Sequence, residues 1–228
     1  MKFSLFTLSL FALFACTSNT NQVADDHENL AYFYPFHTSP VVYVYQDSLS
    51  PMFEIFERIF VTEDELMGKH LWIERYNSNF ILTETIEMVQ LHNYNVYNHL
   101  VGIRGDLYNA EIRDSSFFPL TKATHFSSTF PSNVDSIAFH YEIKRSVLNQ
   151  NGTVNWNDTE LNSLTTIDSI TTFAIDVKNR KEKKNTSVSN TIYAKGIGKI
   201  QVKSQNGNVN LKLTKILTDE EWKYVITK

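Results

Sequence analysis

The stretch "GKIQVKSQNGNVNLKLTKIL", residues 198–217, decides the fold class. Asn206-Gly207 is a favoured pair for a two-residue type I′ hairpin turn, because both residues tolerate positive φ. With that pair as the loop, Gln205 opposes Asn208 and the register is set outward from there. Val202 then faces Leu211 and Ile200 faces Leu213, while Gln201 meets Lys212 and Lys203 meets Asn210. Apolar meets apolar and polar meets polar, an agreement that a one-residue slip would destroy. The segment reads as an antiparallel hairpin.

Similar signals run through most of the chain. "VVYVYQD" (41–47) is a β-branched and aromatic run, and residues 69–91 read as a hairpin joined by Asn77-Ser78-Asn79. In its second arm Phe80, Leu82, Ile86 and Met88 share a face. "SIAFHYEIKRSV" alternates, with Ile137, Phe139, Tyr141, Ile143 and Val147 opposite His140, Glu142 and Lys144. "MFEIFERIF" (52–60) reads as a strand buried on both faces. Asn151-Gly152 offers a further hairpin turn, setting Val147 against Trp156. Residues 157–168 suit a short helix capped by Asp158 within a long connection, and "SITTFAIDV" (169–177) is another strand. Gly196 and Gly198 mark a sharp bend or a close approach to a neighbouring element. The sum is a mainly β protein: a single curved antiparallel sheet or half-barrel with few short helices.

Composition narrows the class. Aromatics make up 13%, with 16 Phe and 11 Tyr, which suits large half-buried sheets. The net charge of −4 gives no electrostatic footprint for nucleic acid. No H-E-x-x-H, G-x-S-x-G, P-loop or paired C-x-x-C occurs. The histidines, among them His70, His92, His99, His125 and His140, show no repeated ligand spacing, so no metal or cofactor is expected. The carboxylate pairs Asp64/Glu65 and Glu220/Glu221 are sequence neighbours. On a strand such neighbours point to opposite faces and cannot flank one reacting atom. The reading is non-catalytic, although a hydrolase site assembled from distant residues would leave no local signature.

The N-terminus carries an address. Lys2 is followed by "FSLFTLSLFALFA", thirteen uncharged residues, too few for the roughly 20 of a membrane span and suited to a secretory leader. The run ends "LFAC". This resembles the lipobox of bacterial lipoproteins, with Leu13 as the hydrophobic specificity residue, Ala15 before the cut and Cys16 as the acylated thiol. Phe14 is bulkier than that family's usual residue. The resemblance implies a signal peptide over 1–15, a flexible lipidated tether over 16–30 and one β-rich domain over 31–228. It implies localisation in the bacterial cell envelope, most readily the outer membrane, held by lipid. Cys16 is the sole cysteine, so its acylation leaves no thiol for a disulfide.

"IYAKGIGKIQVKS" (192–204) resembles a strand near the end of many β-rich bacterial lipoproteins. Those domains look like the half-barrel of lipoprotein-localisation factors, which hold acyl chains against an apolar concave face. The function this implies is a binding or carrier domain for an apolar ligand or lipid. The alternative is an accessory lipoprotein that docks a protein partner in an envelope complex. Candidate lining residues are Phe53, Phe56, Trp72, Phe80, Phe139 and Trp156, with ordinary core packing as the more usual fate of such aromatics. The basic run "KNRKEKK" (178–184) presents Lys178, Arg180, Lys181, Lys183 and Lys184 as candidate contacts for anionic headgroups, or simply as a solvated hairpin loop.

Overall fold

A computed structural model describes residues 28–37, 39–66, 68–91, 93–119 and 123–227. After a 3-10 turn at Glu28–Tyr32 come β1 (Val41–Asp47), β2 (Ser50–Asp64), β3 (Gly68–Tyr76), β4 (Leu82–Gln90), β5 (Tyr94–Ile103), β6 (Asp106–Asn109) and β7 (Glu111–Phe118). They are followed by β8 (Ala123–Pro131), β9 (Ile137–Trp156), β10 (Thr159–Asp176), β11 (Lys181–Ala194), β12 (Gly198–Ser204), β13 (Asn210–Thr218) and the helix α1 (Asp219–Ile226).

The expected open sheet or half-barrel is overturned: the sheet closes. β1 pairs with both β2 and β13, and β4, the first strand of the order, pairs with β5, so the ring closes. Of the thirteen strands, β6 pairs only with β5 and stands aside, leaving a closed antiparallel barrel of twelve. Closure pairs backbone groups that an open edge would leave exposed. Alternation along a strand says which side chains face inward, but not which strands become neighbours.

The opening hairpin keeps its register, with Gln201 opposite Lys212, Val202 opposite Leu211 and Lys203 opposite Asn210. Its turn is longer than two residues. Ser204 donates its N–H to Val209 O (2.9 Å), and only Gly207 takes positive φ, 76°. Asn151-Gly152 is not a turn. β9 runs straight through it, and the reversal comes at Asn157-Asp158, where φ is 47° and 60°, the left-handed pair a type I′ turn requires. Residues 159–168, expected in a helix-bearing connection, are instead the first part of β10.

β2 is buried on both faces for a specific reason. Ile55, Glu57 and Ile59 point into the barrel, while Phe56 lies on the outer wall beneath α1. The helix is started by a capping box: Thr218 Oγ1 accepts from Glu221 N–H, and Glu221 accepts from Thr218 N–H. Trp222 then packs on Phe56, Tyr76 and Phe80 at 5.2–5.8 Å between ring centres.

The N-terminal segment seals one end of the barrel. Phe33 stacks on Phe118 (4.3 Å) and touches Tyr94 (4.5 Å), and Gly196 N–H donates to Ala31 O (2.7 Å). Gly198, at φ 104°, makes the expected close approach: a Cβ there would lie 2.7 Å from Tyr34 Cδ1. Asn29 and Leu30, expected as the tail of a mobile tether, belong to this plug, and the Asn29 amide donates to Pro119 O.

Candidate binding site

An eight-stranded barrel is just wide enough for side chains to fill. Twelve strands enclose more space, and here the plug and a set of ionised side chains occupy only part of it. A cavity of about 260 Å³ remains beyond Tyr34. Isoleucines form much of its wall: Ile55 from β2, Ile73 from β3, Ile86 from β4, Ile143 from β9 and Ile170 from β10. Each shares its inward face with a charged or polar residue two positions away, because side chains alternate along a strand. The partners are Glu57, Arg75, Glu84, Arg145 and Asp168.

These charges form two groups. In the first, Glu57 accepts from Tyr34 OH (2.6 Å), Lys199 Nζ (2.7 Å) and Arg75 Nε (3.0 Å). The Arg75 guanidinium also pairs with Glu84, whose other oxygen lies 2.9 Å from His99 Nε2. In the second, Arg145 holds Asp168 through two parallel bonds (2.8 and 3.1 Å), and Asp168 accepts from Thr166 and Thr191 hydroxyls. Three carboxylates face three cations, so the interior set is formally neutral without His99.

Burial pushes the Glu57 carboxyl up, but Lys199 and Arg75 outweigh it and hold the group at about 2. Glu84 is likewise raised by burial and brought to about 2 by Arg75 and His99. Asp168 is also lowered, with Arg145 overcoming its desolvation. Lys199 moves the other way: burial depresses it, and Glu57 offsets only part of that. Its ammonium sits 4.7 Å from the Tyr45 ring centre, a favourable position over the aromatic face.

The lining is buried near the plug, at Phe33, Tyr193 and Phe126, and becomes half-exposed further along, at Ile55, Arg75, Tyr141, Ile170, Val202 and Leu211. The cavity therefore opens at the end opposite the plug. Arg75 stands at this transition with 33% of its side chain accessible. Three of its five N–H groups are engaged by Glu57 and Glu84, leaving two without a partner among the described residues. Ser189, only 6% exposed, lines the same space, and its hydroxyl has no partner among the described residues. A broader groove of about 630 Å³ crosses the outer surface of β7–β11; Arg145 borders it, but its partner Asp168 lines the barrel cavity and not the groove.

None of the six aromatics expected to line a cavity lines this one. Phe56 and Phe80 pack under α1, and Trp72 stacks parallel on Phe60 (5.8 Å) outside the barrel. Phe53 is half exposed near the open end, Phe139 lies against Phe130 (6.0 Å), and Trp156 borders the core near the β9–β10 turn. Lys178 and Arg180 lie in the β10–β11 turn, and Lys181, Lys183 and Lys184 open β11; all five are exposed. Leu13, Phe14, Ala15 and Cys16, and the tether as far as residue 27, lie outside the described residues. Of the histidines, His99 joins the cavity network; His70 pairs with Glu87, His125 with Glu142 and His140 with Thr129, and His92 is outside the described residues.

Neither a family model nor a curated protein matches the chain. A solved structure does: that of a "putative lipoprotein" from Parabacteroides distasonis, with a TM-score of 0.51 and 10% identity, over 81% of this chain and 98% of that one. At that identity the likeness is one of fold, and nearly the whole of the other protein takes part in it.

The charged interior left one signal in the sequence. In "EIFERIF" Glu57 has the parity of Ile55 and Ile59, and in "YEIKRSV" Arg145 has the parity of Ile143 and Val147. A charge on the apolar face of an alternating strand is either an error of register or a buried, paired ion.

Proposed function

We propose that this protein is a lipoprotein of a bacterial cell envelope, anchored through Cys16 at the outer membrane, whose barrel is a non-catalytic binding domain for a small amphiphile. The anchor is supported by the "LFAC" lipobox resemblance and by a barrel similar in fold to a "putative lipoprotein". The binding role rests on one observation: a cavity sealed at one end, open at the other, with isoleucine on its walls and the spare N–H groups of Arg75 in its lining.

Size sets the ligand class. About 260 Å³ is the share of roughly nine liquid waters and falls below the usual 300–1,000 Å³ of drug-sized pockets. A whole lipid does not fit. A short apolar body fits among the isoleucines, with a hydrogen-bond-accepting head at Arg75 and Ser189. The ion pairs also speak for binding over catalysis. Glu57 and Glu84, held at about 2, are fully ionised and engaged near neutral pH, unsuited to exchanging protons with a substrate.

Native mass spectrometry on protein released gently from membranes tests the binding role, with Ile143→Trp as the cavity-filling control. We expect a co-purified small molecule on the parent protein and none on the variant. A parent that is empty, and that short-chain carboxylates and alcohols fail to stabilise thermally, would sink the reading. For the anchor, Cys16→Ser should move the protein out of the detergent phase; unchanged partitioning would refute acylation.

A further inference from the structure

Six turns join strands at the open end of the barrel: β1–β2, β3–β4, β5–β6, β8–β9, β10–β11 and β12–β13. Each carries, in the turn or within three residues of it, a large apolar side chain exposed to solvent. In chain order these are Met52, Ile81, Leu107, Val134, Val177 and Val209, of which Met52 is 93% and Val177 67% exposed. One such residue on a surface is ordinary; here one stands at every turn of the same end.

Charge is distributed along the same axis. Around the open end lie Arg104, Lys178, Arg180, Lys181, Lys183, Lys184, Lys203 and Lys212, against Asp47, Asp106, Asp135, Asp176 and Glu182, a net of +3 on a chain whose total is −4. Five of these cations belong to the β10–β11 hairpin. It continues past Ser189, where β12 stops, so Lys181–Ser187 has β10 on one side and no strand on the other. The plug end carries Glu63, Asp64 and Glu65 near the β2–β3 turn and Asp158 and Glu160 at the β9–β10 turn, against the exposed Lys69 and Lys195, a net of −3 among these residues. Leu66 and Leu91 are exposed at that end too, but Leu66 sits directly beside those acids.

We infer that the open end docks on the surface of an anionic lipid bilayer, with the β10–β11 lysines and arginines at the headgroups and the apolar turn residues dipping into the interface. Anionic leaflets attract clustered Lys and Arg, and apolar side chains bury at the headgroup boundary. The acidic plug end is repelled by the same surface, which fixes the polarity. Given the lipid anchor proposed above, the tether permits this pose. The eleven residues between Cys16 and Glu28 span up to roughly 40 Å when extended, against about 35–40 Å along the barrel axis for the fifteen residues of β10 between Asn162, level with the plug, and Val177. The cavity mouth would then face the phase in which amphiphiles dissolve. Lysines on a free strand edge also discourage edge-to-edge pairing, a role that predicts no response to lipid.

The test uses the full processed protein, reconstituted into vesicles of phosphatidylcholine alone or with about one-third phosphatidylglycerol. Single cysteines at Met52→Cys, Val177→Cys and, at the plug end, Leu66→Cys carry an environment-sensitive fluorophore, and acyl-chain-brominated lipids report depth. We expect several-fold stronger quenching at positions 52 and 177 than at 66, only with phosphatidylglycerol, and reduced at least by half in Lys178→Glu/Arg180→Glu/Lys181→Glu. Mouth labels that stay aqueous on both vesicles, or a plug label equally immersed, would overturn the inference. So would shielding that needs added envelope protein and ignores lipid, which would instead mark a protein-docking rim. The parent protein separates this from failure of the anchor: fluorophore on Cys16 there would mean no acylation.

Discussion

Glu57 accepts from a phenol, an ammonium and a guanidinium within 3.0 Å, at 1% exposure. Glu57→Gln would leave Lys199 and Arg75 without their shared anion, and breaking a buried pair in this way costs about 3–5 kcal/mol. Urea denaturation should show that loss, and a change below about 1 kcal/mol would mean that the interior relaxes around the gap. The second group allows a sharper comparison. Asp168→Leu alone should destabilise by a similar amount, whereas adding Arg145→Met should recover much of it, because an apolar pair of similar volume needs no counter-ion. Acid acts on the same atoms. Glu57 and Glu84 protonate at about 2 in the folded protein but near 4.5 when unfolded. Between those values the unfolded chain holds more protons, so stability is full above about pH 4.5 and falls as pH drops toward 2. Each shift corresponds to about 3 kcal/mol, and less in combination, since both carboxylates lean on Arg75. Urea midpoints should decline steeply below pH 4.5, and a flat profile down to about pH 3 would contradict the paired geometry.

At the scale of elements, the plug and the helix are the parts most open to single changes. Gly198→Ala places a Cβ 2.7 Å from Tyr34 and forces a side chain into φ 104°. It should destabilise by about 2–4 kcal/mol and speed hydrogen exchange in the plug segment above all. Thr218→Ala removes half of the capping box and should cost about 1 kcal/mol, read as a lower melting temperature with the barrel intact. Elements are also where the sequence was most legible. β1 matched its expected span residue for residue, and the β12–β13 register followed from paired apolar positions even though the turn was longer than two residues. The reversal at Asn157-Asp158 was missed in favour of Asn151-Gly152, because a glycine after asparagine is the stronger local turn signal. In the fold, Gly152 serves packing instead: a Cβ there would meet Ser163 Oγ at 2.6 Å. The six aromatic candidates pack outside the cavity. Phe56 and Trp72 have the outward parity and Phe80 lies in a turn; Phe56 and Phe80 pack under α1 and Trp72 on Phe60, contacts that no local pattern announces.

For the whole molecule, closure depends on ladders between strands far apart in the chain. β1 meets β13 over Val41–Asp47, pairing Val41 with Thr218, while the seam between β5 and β7 holds two residue pairs. The lines joining these partners were not legible because nothing in either strand names the other. The β1–β13 ladder also sets a timetable. Contacts separated by most of a chain form late and slowly, after shorter loops have closed. A ring that needs β1 and β13 side by side cannot close before β13 is free to pair. The barrel's width is therefore set by its last ladder, and everything formed before it is an open curve of neighbouring hairpins.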